Sequence, residues 1–178
     1  ELYAAASAGI ATELDNISNI NSNVMELLAA NPDLGQAGTR QVQLRIFTSV
    51  LQRNPLYYGI YLANADGSFF EVINLDNSHH AREVFRAIPT DRWLVTEVTP
   101  EGSGYQRSFE YLDRDLNTRL TRNEPTDFDA ASRPWYQAAM ASDGTVATDP
   151  YLFAHLGVPG QTLSRRLAGT ESVIGIDM

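Results

Sequence analysis

The chain has 178 residues, no cysteine, and 22 acidic against 13 basic side chains, which gives a net charge of −9. Its length suits about one domain with enough apolar content to bury a core. The negative charge argues against nucleic acid or an anionic membrane surface as a partner. The lack of cysteine excludes disulfides, thiolate catalysis and cysteine-bound metals. The sequence shows neither a signal peptide nor an apolar run of 18 residues.

The first thirty residues predict one long helix, because proline is absent until Asn31-Pro32, which ends it. A heptad-like apolar stripe follows its length, with Asn21 at a position where a polar residue can fix the register between paired helices. Two interpretations stay open: the stripe packs on its own domain, or it pairs with a second copy of the chain. The organisation expected is a stalk helix over residues 1–32 and a domain over residues 33–178. The stripe consists of Tyr3, Ile10, Leu14, Ile17, Val24 and Leu28.

The rest of the chain predicts a second helix and then an antiparallel meander. The helix runs from near Gly38 to Arg53 and ends at Asn54-Pro55. The periodicity then changes to two, and a hairpin is expected around residues 65–68. This order of elements indicates an α+β fold. Strands are predicted at 57–62, 69–73, 92–99, 105–112, 118–122, 146–151, 161–166 and 172–177, with a short helix near 135–140.

The segment around Arg133 is suited to binding a small carboxylate. The guanidinium group offers a planar fork of donors that fits a carboxylate and keeps its charge at physiological pH. Phe128, Trp135 and Tyr136 can supply apolar walls and two polar groups. Pro134 disfavours helical geometry at Arg133, which places Arg133 just before a helix.

A second interpretation of the same segment needs no ligand. Arg133 could form an ion pair with Asp127 or Asp129, and the neighbouring aromatic residues could belong to the core. Both interpretations are consistent with these residues taken alone.

Three segments resemble the double Cache family, the PAS-like extracytoplasmic sensor domains of bacterial chemoreceptors and membrane-bound signalling enzymes. They are Arg133-Pro134-Trp135-Tyr136, Asp149-Pro150-Tyr151 and the strand 173–177. The resemblance implies a periplasmic part of an inner-membrane protein that senses a small carboxylate-bearing or amino-acid-like ligand. It also implies that membrane anchoring and a second, membrane-proximal domain lie outside this chain.

In the amino-acid-binding branch of that family, the arginine, the tryptophan and the adjoining tyrosine hold the ligand carboxylate, which implies this role for Arg133, Trp135 and Tyr136. An aspartate on the last strand holds the amino group together with a tyrosine five residues before the arginine. Asp177 matches the aspartate, whereas Phe128 replaces the tyrosine and removes one contact to an ammonium group. Tyr151 resembles a further tyrosine of the pocket.

Other motifs give little support for catalysis. Residues 113–117 with Glu124 have most of the spacing of a calcium loop, but Thr118 replaces the required glycine and the flanks predict strands, so a hairpin turn is the preferred interpretation. His79 and His80 are expected to be solvated loop residues. We expect neither a metal, nor a cofactor, nor an enzyme in this segment. The alternatives kept open are an interaction or dimerisation module with a vestigial pocket, and a metal-dependent hydrolase.

Overall fold

The computed structural model describes residues 2–35, 39–153 and 155–178, and their side chains from residue 7 onward. The predicted start of the second helix near Gly38 and the side chain of Tyr3 lie outside these described residues. The helices are α1 (Leu2–Ala29), α2 (Arg40–Arg53), α3 (His79–Val84) and α4 (Pro134–Met140). The strands are β1 (Gly59–Ala63), β2 (Phe69–Asn74), β3 (Trp93–Glu101), β4 (Gly104–Leu112), β5 (Thr118–Thr126), β6 (Val146–Ala147), β7 (Tyr151–Phe153), β8 (Val158–Gly160), β9 (Thr162–Arg166) and β10 (Val173–Asp177).

Eight strands form one antiparallel sheet in the order β5-β4-β3-β2-β1-β10-β9-β6, and β7 pairs with β8 in a separate hairpin. The last long strand, β10, therefore lies in the middle of the sheet beside the first, β1. This arrangement confirms the predicted α+β fold. It also brings residues that are more than a hundred positions apart in the sequence onto adjacent strands.

One face of the sheet is apolar and is covered by α1 and α2. Side chains at alternate positions of the central strands, such as Ile60, Val72 and Ile174, pack there against Phe47 and Leu51 of α2. All five are almost completely buried. Because strand side chains alternate between faces, the neighbouring positions of the same strands point to the other side, where α3, α4 and the β7–β8 hairpin lie.

The prediction for the segment after α4 was partly wrong. The single strand expected over residues 146–151 is two short strands, β6 and β7, because Pro150 lies between them and has no N–H to donate to a ladder. Strand β8 was not predicted. The histidines expected in a loop instead begin α3, where the hydroxyl of Ser78 accepts the backbone N–H of Ala81.

The two halves of α1 have different surroundings. In the first half, Ile10, Leu14 and Ile17 are exposed to solvent. In the second half, Leu28 is buried and Val24 packs against the same core as α2. The stripe predicted from the sequence thus divides into a part that belongs to the domain core and a part that the described residues leave uncovered.

Asn21 marks the boundary between these halves and is used inside its own domain. Its side-chain oxygen accepts a hydrogen bond from the Tyr57 hydroxyl at 2.8 Å, and its amide nitrogen donates to the Met178 sulfur at 3.3 Å. The side chain is buried. The expectation that Asn21 fixes the register of paired helices is therefore corrected, since both of its polar groups are engaged within the domain. In the part of the chain that the structure describes, no helix has the length and apolarity needed to cross a membrane.

Candidate ligand-binding cavity

A cavity of about 440 Å³ lies on the second face of the sheet, beneath α4 and the β7–β8 hairpin. This volume is in the range of small-molecule sites in proteins. Five of the six residues predicted to bind ligand line it, namely Phe128, Arg133, Trp135, Tyr151 and Asp177. They come from three separate parts of the chain, and the central position of β10 in the sheet is what brings Asp177 to the others.

Tyr136 lies outside the set of described residues that line the cavity. Its ring is buried, and its hydroxyl donates to the backbone carbonyl of Glu171. Trp135 and Tyr136 are successive residues of α4, so their side chains point about 100° apart, and here Trp135 faces the cavity. Trp135 has that place, with its ring centroid 4.8 Å from that of Tyr61.

Arg133 has the backbone conformation that the sequence predicts. Its φ and ψ of −77° and 143° are extended, and α4 begins at the next residue, Pro134. Its guanidinium carbon lies 5.5 Å from the centroid of the Phe128 ring. Its Nε atom is buried and has no hydrogen-bond partner among the described residues.

The aspartates near Arg133 do not satisfy its charge. The Asp129 carboxylate instead accepts the backbone N–H of Ala131 at 3.0 Å and so stabilises the turn before α4. Within the described ranges, no carboxylate lies within ion-pair distance of the Arg133 guanidinium group. A buried donor without a partner is costly, and a carboxylate of a ligand would supply the partner.

Asp177 is the acceptor at the centre of a hydroxyl network. Its Oδ1 accepts hydrogen bonds from Thr162 at 2.6 Å and from Tyr61 at 3.0 Å. Tyr151 and Thr162 lie 2.8 Å apart through their hydroxyl oxygens, and because Thr162 donates its one proton to Asp177, Tyr151 is the donor in that pair. Burial raises the pKa of Asp177 to about 6, although these two hydrogen bonds act in the opposite direction.

Sequence analysis missed two charged residues of the cavity wall, Glu71 and Arg107. Burial, together with the negative charge of Asp177, raises the pKa of Glu71 to about 8. Arg107 donates to the Thr126 hydroxyl at 2.7 Å, and its Nε is buried without a partner among the described residues. One signal was available: Glu71 is an acid in the middle of a strand whose other positions are almost all apolar.

Phe128 lies between the two cations of the cavity. Its ring centroid is 5.7 Å from the guanidinium carbon of Arg107 and 5.5 Å from that of Arg133. Both distances suit cation–π contacts. Phe69 meets the same ring edge-on at 5.1 Å. The cavity therefore has a cationic and aromatic wall formed by β4 and the segment before α4, and a carboxyl-bearing floor formed by β2 and β10.

The residues with the spacing of a calcium loop form hydrogen bonds within their own turn. Asp113 accepts the backbone N–H groups of Asp115 and Asn117, each at 2.9 Å, and forms the tight turn between β4 and β5, as preferred from the sequence. Among the described residues, no group of three or more His, Cys, Asp or Glu side chains is arranged to hold a metal ion.

His155 was not predicted at the site but lines the cavity, with its ring packed near Phe85 and Tyr58.

Solved structures with a similar fold include ligand-binding domains of chemoreceptors. The domain of CtaA from Pseudomonas fluorescens in complex with L-alanine has a TM-score of 0.54 and 18% identity, covering 100% of this chain and 60% of that one. The domain of Tlp3 from Campylobacter jejuni in complex with L-valine has a TM-score of 0.53 and 15% identity, covering 94% of this chain and 54% of that one. The PAS-like fold implied by the sequence resemblance is thereby confirmed.

The sequence relatives include an adenylate cyclase and methyl-accepting chemotaxis proteins, although no protein-family model matches the chain. Adenylate cyclase 1 of Rhizobium meliloti is 30% identical over 133 residues, which are 72% of this chain and 20% of the cyclase. The methyl-accepting chemotaxis protein TlpA of Bacillus subtilis is 40% identical over 67 residues, which are 37% of this chain and 10% of that receptor. The chain therefore spans a fifth or less of these relatives.

Proposed function

We propose that this domain is the extracytoplasmic sensor of a membrane-bound signalling protein and binds a small molecule with a carboxylate and an ammonium group. The observation that carries the proposal is the separation of charge in the cavity. Arg133 presents an unpartnered buried donor on one side, and Asp177 presents a buried carboxyl on the other. A zwitterion with its charges at opposite ends complements both.

In the proposed binding mode, the carboxylate of the ligand accepts hydrogen bonds from the Arg133 guanidinium group, and the ammonium group lies at Asp177. Trp135 and Phe128 enclose the apolar part of the ligand, and Tyr151 orients Asp177 through Thr162. Tyr136 supports α4 from behind and does not contact the ligand. The domain binds rather than reacts.

The comparisons support this proposal in two ways. The fold is shared with sensory domains that hold L-alanine, L-valine or L-isoleucine. The sequence relatives include an adenylate cyclase and two methyl-accepting chemotaxis proteins. We propose that the domain is periplasmic and that other segments of the whole protein anchor it and carry the output domain.

Signal transmission is proposed to follow β10 into α1. Met178 directly follows the ligand-contacting Asp177, and its sulfur accepts the hydrogen bond from Asn21 of α1. A shift of Asp177 on ligand binding would therefore alter the packing of α1 on the sheet. We further propose that the exposed half of α1, through Ile10, Leu14 and Ile17, pairs with its copy in a homodimer.

The direct test is a thermal-shift screen followed by calorimetry. The panel comprises the proteinogenic L-amino acids, their decarboxylated amines and their deaminated acids, with and without a chelator. Binding of an amino acid more tightly than either truncated analogue supports the proposal. If no member of the panel binds, the domain is instead an interaction module with a vestigial pocket, and a chelator-sensitive melting temperature would favour a metal-dependent hydrolase.

The dimer is tested separately by sedimentation of the chain and of its Leu14→Glu variant. A concentration-dependent dimer that Leu14→Glu abolishes without changing the melting temperature of the monomer supports pairing through α1. A strictly monomeric wild-type chain at high concentration would contradict it, since the exposed stripe is present in this chain.

A further inference from the structure

We propose that Glu71 is a second ligand-binding carboxylate, which together with Asp177 holds the ammonium group of the ligand and gives up a proton when that group binds. This inference rests on the proposed function and names the residue that gives the site its selectivity for an amino group. Its basis is the position of Glu71, its lack of partners and the shape of the sheet beneath it.

The sheet brings Glu71 and Asp177 together across one glycine. Gly59 of β1 is the direct cross-strand neighbour of Asp177 on β10 and of Ile73 on β2. A β-carbon placed on Gly59 would lie only 3.1 Å from Oε1 of Glu71. The Glu71 carboxyl therefore leans over the space that Gly59 leaves open, toward the strand that carries Asp177.

A second glycine, Gly175, allows the Tyr61 ring to lie close to Asp177. A β-carbon on Gly175 would lie 2.1 Å from the Tyr61 ring, so the ring lies across β10 only because that position is glycine. From there the Tyr61 hydroxyl reaches Asp177 at 3.0 Å. Asp177 is thus held in place by hydrogen bonds, whereas Glu71 is not.

Glu71 is buried without a partner. Its residue is 5% exposed, and it lines the cavity. Among the described residues, none donates a hydrogen bond to its carboxyl and no cation lies within ion-pair distance of it. Arg107 is the cation that acts on it electrostatically, but Arg107 directs its terminal nitrogens to Thr126 at 2.7 Å and Glu124 at 3.8 Å.

A buried carboxyl without a partner is neutral when the cavity is empty and ionises when a cation arrives. Burial and Asp177 raise the pKa of Glu71 to about 8, so this carboxyl keeps its proton at neutral pH. An ammonium group between the two carboxyls reverses this preference, because it supplies the opposite charge that the site lacks. Binding at pH 7 then releases close to one proton.

The other ionisable groups around Glu71 change their charge little between pH 7 and pH 8. Burial raises the pKa of Tyr58, Tyr61 and Tyr151, so these phenols stay neutral at neutral pH. Arg107 and Arg133 keep their charge. The partly exposed ring of His155 has a pKa below its ordinary value, owing to its desolvation against the aromatic wall and to Arg107. Asp177, with a pKa of about 6, is mostly ionised at pH 7.

Phe128 and Glu71 together also account for the proposed specificity for an amine. Phe128, which replaces the family's tyrosine, has no oxygen to offer an ammonium group, and its ring lies against the two arginines. Glu71 supplies two oxygens from a different strand. In this chain an acid of β2 therefore takes the place of the missing phenol as a partner of the amino group.

The test uses isothermal calorimetry with the tightest-binding L-amino acid of the panel and its decarboxylated amine, in phosphate and in Tris at pH 7. The dependence of the observed enthalpy on the ionisation enthalpy of the buffer gives the number of protons released. The wild-type chain is expected to release about one proton and to bind about ten-fold more tightly per pH unit between pH 6 and pH 8. Glu71→Gln is expected to release none, to show no such pH dependence, and to bind ten- to a hundred-fold more weakly at pH 8.

The control is Glu101→Gln, which removes an exposed carboxylate of β3 that does not line the cavity, and it should behave as the wild type. Binding of the amino acid without proton release, or with affinity unchanged in Glu71→Gln, overturns the role of Glu71 and leaves the proposed function intact. If only the amines bind, with proton release that Glu71→Gln abolishes, the role of Glu71 in binding an ammonium group is supported and the amino-acid assignment fails. If neither amino acids nor amines bind the wild type, both fail.

Discussion

The two faces of the sheet are built from the same strands but hold opposite kinds of side chain. On the face covered by α1 and α2, Ile60, Val72 and Ile174 fill a dry apolar core. Side chains at the intervening positions of the same strands point to the other face, where Tyr61, Glu71 and Asp177 border a cavity. Apolar burial stabilises the fold, whereas buried carboxyls oppose it unless they gain partners. The comparison teaches that stability and binding are divided between faces rather than between segments of sequence.

The largest expected effect comes from the helix-covered face. Phe47→Ala removes a fully buried ring of α2 that lies 5.9 Å from the ring of Phe70, and it should lower the free energy of unfolding by about 3–5 kcal/mol. Urea denaturation measures the loss. The matched control is Phe128→Ala, whose ring is only half-buried and borders the open cavity, so its loss should be clearly smaller. Equal losses would show that the two faces contribute alike to stability.

The next effect is on binding rather than on folding. Arg133→Ala should weaken binding of the tightest amino acid of the panel by about 2–4 kcal/mol, because it leaves the ligand carboxylate without its charged donors. It should hardly change the urea midpoint, since Arg133 has no ion-pair partner in the described structure. The exposed Arg45→Ala on α2 provides a charge-matched control. Affinity that survives Arg133→Ala in a folded chain would remove Arg133 from the site.

The two faces should also differ in how their contribution to stability depends on pH, because the buried carboxyls Glu71 and Asp177 lie on the cavity face. The folded-state pKa values of Glu71 and Asp177, about 8 and about 6, lie above their ordinary values. Between its ordinary and its folded-state pKa, each group binds more protons in the folded state. Stability from these groups is therefore complete below about pH 4 and is lost as the pH rises to about 8, by up to about 1.4 kcal/mol per unit for each group.

Urea midpoints of the ligand-free chain between pH 4.5 and pH 8.5 measure this loss. Glu71→Gln should flatten the part between pH 7 and pH 8, where Asp177 is already mostly ionised, and should make the variant more stable than the wild type at pH 8. A profile that keeps its slope in Glu71→Gln would mean that the Glu71 carboxyl is already ionised in the empty cavity.

The smallest expected effect concerns the aromatic wall. Phe128→Tyr adds a hydroxyl at the position where the family's amino-acid binders carry tyrosine, and we expect about 1 kcal/mol tighter binding of an amino acid. Calorimetry should also show a wider margin over the deaminated analogue. If neither the affinity nor the margin improves, Phe128 acts only at the cationic wall with Arg107 and Arg133 and does not belong to the amine corner.

The fold was largely predictable because its signals are local. The proline after α1, the change of periodicity after α2 and the turn at residues 65–68 each act within a few positions of the chain. The errors lie where local signals conflict: Pro150 interrupts an otherwise strand-like run, and Ser78 begins a short helix in a segment that read as a loop. Tyr136 was assigned from resemblance to a pocket residue, and in the structure its hydroxyl donates to the backbone carbonyl of Glu171.

The sequence by itself determined the α+β order of elements and the extended conformation of Arg133 ahead of Pro134, since both depend on backbone preferences and periodicity over short distances. Only the tertiary structure decided which ionisable side chains lie close together. The antiparallel pairing of β10 with β1 brings Asp177 beside Gly59, and the open space at Gly59 admits the carboxyl of Glu71 from β2. Residues on three strands become one corner through strand register, and no local pattern in a single chain specifies that register.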